Sequence, residues 1–308
     1  MLSARDRFLD AEERAWAGYG LSRRQRWVEL PAARRRIRVV EHGSGPTVAF
    51  FHGITGCSTT WLPILPYIEG YRCLLFDFLC HGASDDYDFA GVRLRPFAVD
   101  VITEALDALD VDRCSLVGNS MGGMFSLWLA AARPDRFDSV VAVGEPGAAL
   151  PGARAKFPFW LLSTPIVNRA IFAVPPPLPV QQAYGRAHRD RPDPRADDLT
   201  AAEYWANRQP GRGEAISHLS RTVARTTRVL PEAELRDDEI DTWSVPTRFI
   251  WGEEAPLLSP DVARRTIDRM PTAELVVVPG GHNPWADDPP ARAALVTDFL
   301  AAHAHLDR

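Results

Sequence analysis

The strongest chemical signal in the chain is a serine flanked by small residues, in the segment GNSMGG at 118–123. An apolar run precedes this segment and an apolar helical stretch follows it, which predicts a sharp turn from a strand into a helix. Such a turn forces its middle residue into a strained backbone conformation and lifts that side chain above the sheet, in front of a helix N-terminus. Ser120 is therefore the candidate nucleophile, and the alternative is a chance G-x-S-x-G match in an unrelated turn.

A second loop offers the hydrogen-bond donors that a nucleophilic serine needs. The segment HGITG at 52–56 follows an apolar strand, and a glycine-bearing turn there can aim backbone N–H groups at a point near Ser120. An oxyanion requires donors about 2.7–3.1 Å away. We assign them to the amides of Ile54 and Met121, and we expect His52 to have a structural role at the end of its strand.

A third loop carries the candidate general base. The segment GGHNPW at 280–285 follows the last predicted strand, and a loop at that end of a strand can reach the same rim as Ser120. His282 is then placed to take the serine proton and return it to a leaving group.

The elements that would position these groups alternate along the chain. Short apolar runs of the kind found in fully buried strands recur between helical stretches. This alternation predicts a mostly parallel sheet with helices on both faces, preceded by one or two short helices in residues 1–26. The predicted strands are 27–30, 36–41, 47–51, 73–77, 114–118, 139–143, 247–251 and 274–278, and the predicted later helices are 94–109, 121–133, 260–270 and 290–303.

The alternation stops at residues 145–240, which begin rich in proline and then become charged and helical in pattern. Large aromatic side chains in this stretch would waste apolar surface in a solvated tether, so we predict a helical lid inserted between two strands. The chain then divides into a core of 1–144 and 241–308 and a lid of 145–240. Three aromatic residues of the lid are candidates for lining a substrate pocket, namely Trp160, Phe172 and Trp205.

Composition limits the classes of protein that this chain can represent. The 308 residues are 46% hydrophobic and 24% charged, which excludes a mostly disordered chain. The net charge of −5 argues against a nucleic-acid partner bound through a broad basic face. No apolar run approaches the ~20 residues that cross a bilayer, and the N-terminus lacks an apolar signal segment, so we expect no membrane association and a cytoplasmic location. The four cysteines fit no metal-binding spacing and are expected to be free thiols.

Five segments together resemble the α/β-hydrolase superfamily, in its lid-bearing group of esterases and related hydrolases. They are HGITG at 52–56, FDFLCHGASD at 76–85, GNSMGG at 118–123, WGEEA at 251–255 and GGHNPW at 280–285. The resemblance implies an eight-stranded, mostly parallel sheet with a lid inserted after the sixth strand, no cofactor or metal, and reactions that pass through an acyl-enzyme at Ser120. Within FDFLCHGASD we interpret Asp77 as structural and His81 as part of the turn, with the pocket edge as the alternative for His81.

The chain departs from this family at the residue that orients the catalytic histidine. Members usually carry an acid after the seventh strand, in a pattern like W-G-x-x-D, and here that position is Ala255. Three alternatives are open. The acid is Glu145, directly after the sixth strand, where haloalkane dehalogenases of this fold place theirs; or it is Glu254, one residue out of register; or there is none. Glu145 is the preferred assignment.

The resemblance implies a serine hydrolase that cleaves an ester or thioester of a mostly apolar small molecule. Ser120 stands where dehalogenases and epoxide hydrolases of this fold carry an aspartate, and HGITGC does not match the H-G-x-G-P-G loop of the carbon–carbon bond hydrolases. Two alternatives are kept. One is a non-hydrolytic reaction on the same fold (lyase, acyl transfer or cyclisation) in secondary metabolism. The other is a ligand-binding protein with a degraded triad, which Ala255 suggests. The sequence gives no oligomeric state.

Overall fold

The computed structural model describes residues 2–153, 176–187, 193–225 and 228–304, together with the single positions 164, 167 and 170. Its centre is an eight-stranded sheet. The strands are β1 (Arg24–Leu30), β2 (Arg35–Gly43), β3 (Thr47–Phe51), β4 (Arg72–Asp77), β5 (Cys114–Gly118), β6 (Phe137–Val143), β9 (Thr247–Gly252) and β10 (Ala273–Val278), and a separate ribbon is formed by β7 (Ala224–Arg225) and β8 (Arg228–Val229). The order in the large sheet is β1-β2-β4-β3-β5-β6-β9-β10. Strand β2 runs antiparallel to both of its neighbours, and the other neighbouring strands are parallel.

Helices connect the parallel strands, so the predicted α/β fold is confirmed. They are α1 (Ala4–Gly18), α2 (Leu94–Ala108), α3 (Met121–Ala132), α4 (Leu178–Ala187), α5 (Ala196–Asn207), α6 (Arg212–Val223), α7 (Asp237–Asp241), α8 (Pro260–Ile267) and α9 (Pro289–His303). Of these, α4 to α7 lie between β6 and β9, where the sequence pattern places the insertion. Within the described ranges, no helix combines the length and the apolar character needed to cross a membrane.

Two apolar layers cover the two faces of the sheet. Consecutive strand residues point to opposite faces, so Phe51 packs with residues of α2 and α3 while Phe50 packs with residues of α1 and α9. Both side chains are almost completely buried, and each such burial contributes about 1.5–3 kcal/mol. A strand that buries both faces has a continuous apolar sequence, which is why the central strands were recognisable from sequence.

The structure corrects the sequence reading at two places. Residues 24–26, assigned to an N-terminal helix, begin β1, where Arg24 pairs with Glu41 of β2. An edge strand carries exposed charged side chains, and its sequence therefore looks like the polar end of a helix. The second place is the stretch 195–240, read as helical throughout, which contains the β7–β8 ribbon. The β-branched threonines and valines around this ribbon favour strands over helices.

The insertion packs on the N-terminal helix. Arg14 of α1 donates from Nε to Asp198 of α5 over 2.9 Å. The Tyr19 hydroxyl, just after α1, donates to Asp193, just before α5, over 3.1 Å. Helix α1 therefore holds α5 against the core.

A buried ionic cluster ties α1 to the sheet. The Arg38 guanidinium on β2 donates to both carboxylate oxygens of Glu12 at 2.7 and 2.8 Å, and its Nε donates to Asp77 over 2.7 Å. All three side chains are fully buried. Asp77 also accepts backbone N–H groups from Ser58 at 2.7 Å and from Ala83 at 2.9 Å. Each charge is thus paired, as burial requires.

Candidate active site

Ser120 lies on the turn from β5 into α3, with φ 51° and ψ −116°. This conformation is costly for a residue with a side chain, and it persists only where the surroundings enforce it. Close backbone contacts do so here. A Cβ atom added at Gly118 would lie 2.3 Å from the Gly122 carbonyl oxygen, and one added at Gly122 would lie 2.0 Å from the Phe51 oxygen. Only glycine fits at both positions, which explains the spacing of glycines around Ser120.

The HGITG loop lies beside this serine. A Cβ atom added at Gly53 would stand 3.4 Å from the Ser120 Cβ. The loop closes through the Gly56 N–H, which donates to the Gly53 oxygen over 2.9 Å, so this turn does not use the Ile54 N–H. Met121 is the first residue of α3, and its N–H has no acceptor within the helix. The two amides assigned as oxyanion donors are therefore positioned on loops that flank the same serine.

The loop of His282 is tied to the serine turn through Asn119. The Asn119 side-chain amide donates to the Val143 oxygen over 2.9 Å and to the His282 oxygen over 3.3 Å. One residue before the candidate nucleophile thus holds the end of β6 and the loop after β10 together.

Glu145 lies in contact with His282. Its Oε2 forms a hydrogen bond with Nδ1 of the imidazole, and the Glu145 side chain is 1% exposed while that of His282 is 17% exposed. Its Oε1 accepts the backbone N–H groups of Leu257 at 2.5 Å and Leu258 at 3.1 Å. The carboxylate is therefore buried, fully hydrogen-bonded and aimed at one nitrogen of the histidine.

A tight turn places Glu145 at this position. Gly144 and Gly147 both have positive φ, 81° and 52°, and the Gly147 N–H donates to the main-chain carbonyl oxygen of Glu145 over 2.8 Å. A Cβ atom at Gly144 would lie 2.4 Å from the His282 oxygen. Glycine before the glutamate thus allows the backbone of the histidine loop to come close enough for the contact.

The alternative acid lies elsewhere. Glu254 is exposed, and its backbone N–H donates to the Gly280 oxygen over 3.0 Å. Ala255 is buried at the position where the family pattern carries its acid. In this chain the loop after β9 supplies the backbone N–H groups of Leu257 and Leu258. The loop after β6 supplies Glu145, whose carboxylate accepts from both.

His52 is engaged by the main chain through both ring nitrogens. Its Nδ1 contacts the Gly53 oxygen at 2.7 Å, and its Nε2 accepts the Phe78 N–H over 3.2 Å. Burial lowers the pKa of this imidazole, so it stays neutral at physiological pH. With Nε2 accepting and Nδ1 donating, the ring has no nitrogen left for a proton transfer at Ser120, as its expected structural role requires.

The predicted pocket residues are only partly placed. Trp160 and Phe172 lie outside the described residues. Trp205 on α5 stacks under the Arg7 guanidinium, 4.6 Å from its ring centroid, and packs edge-on against Tyr204. The contact with Arg7 joins the insertion to α1.

Sequence reasoning missed three participants. The Asn119 side chain lies inside the recognised motif, and a polar residue beside a buried turn was the available signal. Leu257 and Leu258 act through backbone N–H groups, which leave no trace in residue type. Across the described part of the chain, no group of three or more His, Cys, Asp and Glu side chains is placed to hold a metal ion.

Comparison with known proteins agrees with this architecture. The sequence profile of the family described as alpha/beta hydrolase fold matches residues 46–289. The uncharacterized protein Rv2715 of Mycobacterium tuberculosis is 26% identical over 300 residues, covering 87% of this chain and 78% of that protein. A 2-hydroxy-6-oxononadienedioate/2-hydroxy-6-oxononatrienedioate hydrolase of Cupriavidus pinatubonensis is 29% identical over 266 residues, covering 85% of this chain and 86% of the relative.

A solved structure gives the same result for the fold. Carboxylesterase CesB from Bacillus subtilis superposes with a TM-score of 0.75 at 16% identity, over 97% of this chain and 99% of that one. The matched family segment runs from before β3 to the first residue of α9, and it contains Ser120, Glu145 and His282. The chain belongs to the α/β-hydrolase family, and its relatives include named hydrolases.

Proposed function

We propose that this protein is a serine hydrolase that cleaves an ester or thioester of a mostly apolar small molecule. Ser120 Oγ attacks the carbonyl carbon while His282 Nε2 takes the hydroxyl proton. The tetrahedral intermediate collapses, the bond to the leaving group breaks, and His282 gives its proton to the departing alcohol or thiol. Water then attacks the acyl-enzyme while His282 takes its proton. The bond to Ser120 Oγ breaks, His282 returns the proton to that oxygen, and the carboxylic acid is released. The reaction needs no cofactor.

Glu145 is the acid of this triad. A carboxylate at Nδ1 keeps the histidine proton on that nitrogen, leaves Nε2 unprotonated so that it can accept the Ser120 proton, and stabilises the imidazolium that forms. The observation that carries the proposal is the hydrogen bond from His282 to a buried Glu145 whose other oxygen accepts two backbone N–H groups. This support for the carboxylate argues against a degraded triad.

The amides of Ile54 and Met121 form the oxyanion hole. Both belong to backbone segments fixed by turns, and fixed donors stabilise a developing charge without reorganising during the reaction. Met121 adds the favourable field of a helix N-terminus.

The insertion, residues 145–240, acts as the lid in this proposal. Asn207 at the end of α5 donates to the Thr55 oxygen over 2.8 Å, next to Ile54. Gln209 donates to the Gly82 oxygen over 2.8 Å, and Arg212 donates to the Ser84 oxygen over 2.6 Å. These contacts hold the insertion beside the serine, where its apolar residues can exclude water from an apolar substrate.

A fluorophosphonate probe tests the proposal. We expect a covalent adduct that peptide mass mapping locates on Ser120, together with turnover of aryl esters of several acyl lengths. Ser120→Ala should lose both. Esters that bind without turnover or adduct would replace the proposal with the ligand-binding alternative. An adduct on Ser120 with products formed only when an amine or thiol acceptor is supplied would replace hydrolysis with acyl transfer.

A further inference from the structure

Three consecutive carbonyl oxygens of the oxyanion loop, which is the HGITG segment at 52–56, each contact a side chain. The three side chains come from the loop itself, from the turn after β4 and from the insertion. The Gly53 oxygen contacts His52 Nδ1 at 2.7 Å, and the Thr55 oxygen accepts from Asn207 of the insertion at 2.8 Å. Between them, the Ile54 oxygen lies 2.6 Å from Nε2 of His81. The Gly53 oxygen shares a peptide group with the Ile54 N–H, and the Ile54 oxygen belongs to the next peptide.

His81 comes to this point from the turn after β4. Its side chain is buried, and its Nδ1 lies 2.9 Å from the Leu79 oxygen in its own turn. Burial, followed by the nearby ring of His52 at 4.8 Å, lowers the pKa of His81 to about 3. At neutral pH the ring therefore carries one proton, which only one of the two facing carbonyls can accept.

The location of that proton matters for the oxyanion hole. The peptide that carries the Ile54 N–H also carries the Gly53 oxygen, which His52 Nδ1 and the Gly56 N–H contact. A donor at the Ile54 oxygen fixes the next peptide, so that Ile54 is anchored on both sides and its N–H cannot shift with the loop. A small error in aim is costly, because an oxyanion donor acts only over a narrow range of distance. The contact to Leu79, by contrast, spans two residues of one turn and restrains only that turn.

We propose that His81 is a positioning residue of the oxyanion hole, with its Nε2–H donating to the Ile54 carbonyl oxygen and thereby anchoring the peptide that follows the Ile54 N–H. This inference rests on the proposed function, because it assigns the Ile54 amide to an oxyanion formed at Ser120. It goes further by giving a role in the reaction to a residue that does not touch the substrate.

The test compares His81→Leu with His81→Gln, since a glutamine amide can place a donor near the position of Nε2. We expect kcat for an aryl ester to fall about 10- to 100-fold in His81→Leu, less than the 10²–10³ that follows removal of a whole oxyanion donor. The affinity for a trifluoromethyl ketone, whose serine adduct carries the oxyanion, should fall by the same factor. His81→Gln should recover most of both losses.

Ground-state binding separates this role from a merely structural one. The affinity for the intact ester, measured in the Ser120→Ala background, should change less than threefold when His81→Leu is added. The matched control is His42→Leu. His42 also contacts a backbone carbonyl, that of Ser22, but it pairs with Cys73 near the start of β4, at the opposite end of that strand. It should leave kcat and ketone affinity unchanged.

Two results would overturn the inference. One is a His81→Leu variant that loses thermal stability but keeps its ketone affinity, or that loses ester and ketone affinity equally. The other is an Nδ1–H tautomer for His81 in the wild-type protein, read from imidazole ¹⁵N shifts, and this measurement decides the matter even if His81→Leu fails to fold. A wild type without an adduct on Ser120 would instead contradict the proposed function, and the tautomer would still be measurable.

Discussion

Two buried carboxylates, Asp77 and Glu145, have nearly the same surroundings, but Asp77 contacts a permanent cation and Glu145 contacts the candidate general base. Asp77 ends β4 and Glu145 lies just after β6, and each accepts two backbone N–H groups. Each also contacts one basic side chain. For Asp77 it is Arg38, which is fully buried and always charged, and for Glu145 it is His282, which is partly exposed and can gain or lose a proton.

The difference shows that burial and hydrogen bonding do not by themselves mark a catalytic acid. Asp77 is paired with a permanent cation, and this pair stabilises the packing of α1 on the sheet. Glu145 is paired with a titratable side chain that is partly exposed, as the proposed general base must be to exchange a proton. The distinguishing property is whether the partner can exchange a proton with a third group.

Glu145→Gln should give the largest effect on rate. The glutamine oxygen can still accept from Leu257 and Leu258, so the fold should persist, but the histidine loses the charge that stabilises its imidazolium. We expect kcat to fall about 10³- to 10⁴-fold. Steady-state kinetics with an aryl ester checks this, with Glu254→Gln as the control that stays near the wild-type rate. A large loss in the control and none in Glu145→Gln would reverse the assignment of the acid.

Asp77→Asn should act on stability and little on rate. Arg38 keeps Glu12, but the NH2 group of the asparagine must face a donor that now points at Asp77, either a backbone N–H or the Arg38 guanidinium. Removing one partner of a buried ion pair costs about 3–5 kcal/mol. Chemical denaturation should show this loss, while the remaining folded protein keeps its kcat. Wild-type stability with lost turnover would instead place Asp77 in the reaction.

The same substitution should change the acid limb of the stability curve. Burial alone would raise the pKa of the Asp77 carboxyl, but Arg38 and the Ala83 N–H outweigh burial and lower the pKa below the ordinary value for an aspartate. A lowered pKa in the folded state means that the stabilisation is complete above the unfolded value and is lost as the pH falls through the folded one. The free energy of unfolding, measured by denaturation between pH 7 and pH 2, should therefore fall less steeply below about pH 4 in Asp77→Asn than in the wild type. Parallel wild-type and variant curves would contradict the shift.

Restoring the family's acid position should give a smaller effect. Ala255→Asp, added to Glu145→Gln, puts a carboxylate on the loop whose N–H groups now hold Glu145. We expect about a tenfold gain in kcat over Glu145→Gln alone, since a group out of its best geometry recovers only part of the rate. Ala255→Asn in the same background is the uncharged control, and an equal gain there would exclude an acid role for position 255.

Asn207→Ala should give the smallest effect. It removes one neutral hydrogen bond, to the Thr55 oxygen at the border of the insertion, which is worth about 0.5–1.5 kcal/mol net. Thermal unfolding should shift slightly, and kcat should change by less than about tenfold. A loss as large as that of Glu145→Gln would mean that the contact of the insertion, and not His81, determines the oxyanion loop.

The fold was predictable because its central strands are buried on both faces and read as unbroken apolar runs. The serine turn was predictable for a related reason, since the glycines at 118 and 122 are required by backbone contacts near 2 Å and so must appear in the sequence. The exposed edge strand β1 was the element whose start was misread, because its side chains alternate between core and solvent.

The preference for Glu145 over Glu254 came from the resemblance to dehalogenases, and the two residues and their spacing did not by themselves decide between them. Both follow a parallel strand, and the decision depends on which loop comes closest to His282. That distance is set by the positive φ of Gly144 and by the close approach of its backbone to the histidine loop. The N–H groups of Leu257 and Leu258 that hold Glu145 are main-chain groups, which nearly every residue type has. No pattern of side chains therefore predicts their role.

The three contacts of Asn207, Gln209 and Arg212 with the core have a consequence for how this protein can change over time. Each side chain donates to a main-chain oxygen of the core, and every amino acid supplies such an oxygen. Substitutions in these core loops therefore leave the three acceptors in place, and these three contacts need no matching substitution in the insertion. The side-chain pairs Arg14–Asp198 and Arg212–Asp86 do require both partners, so only part of this border tolerates independent change.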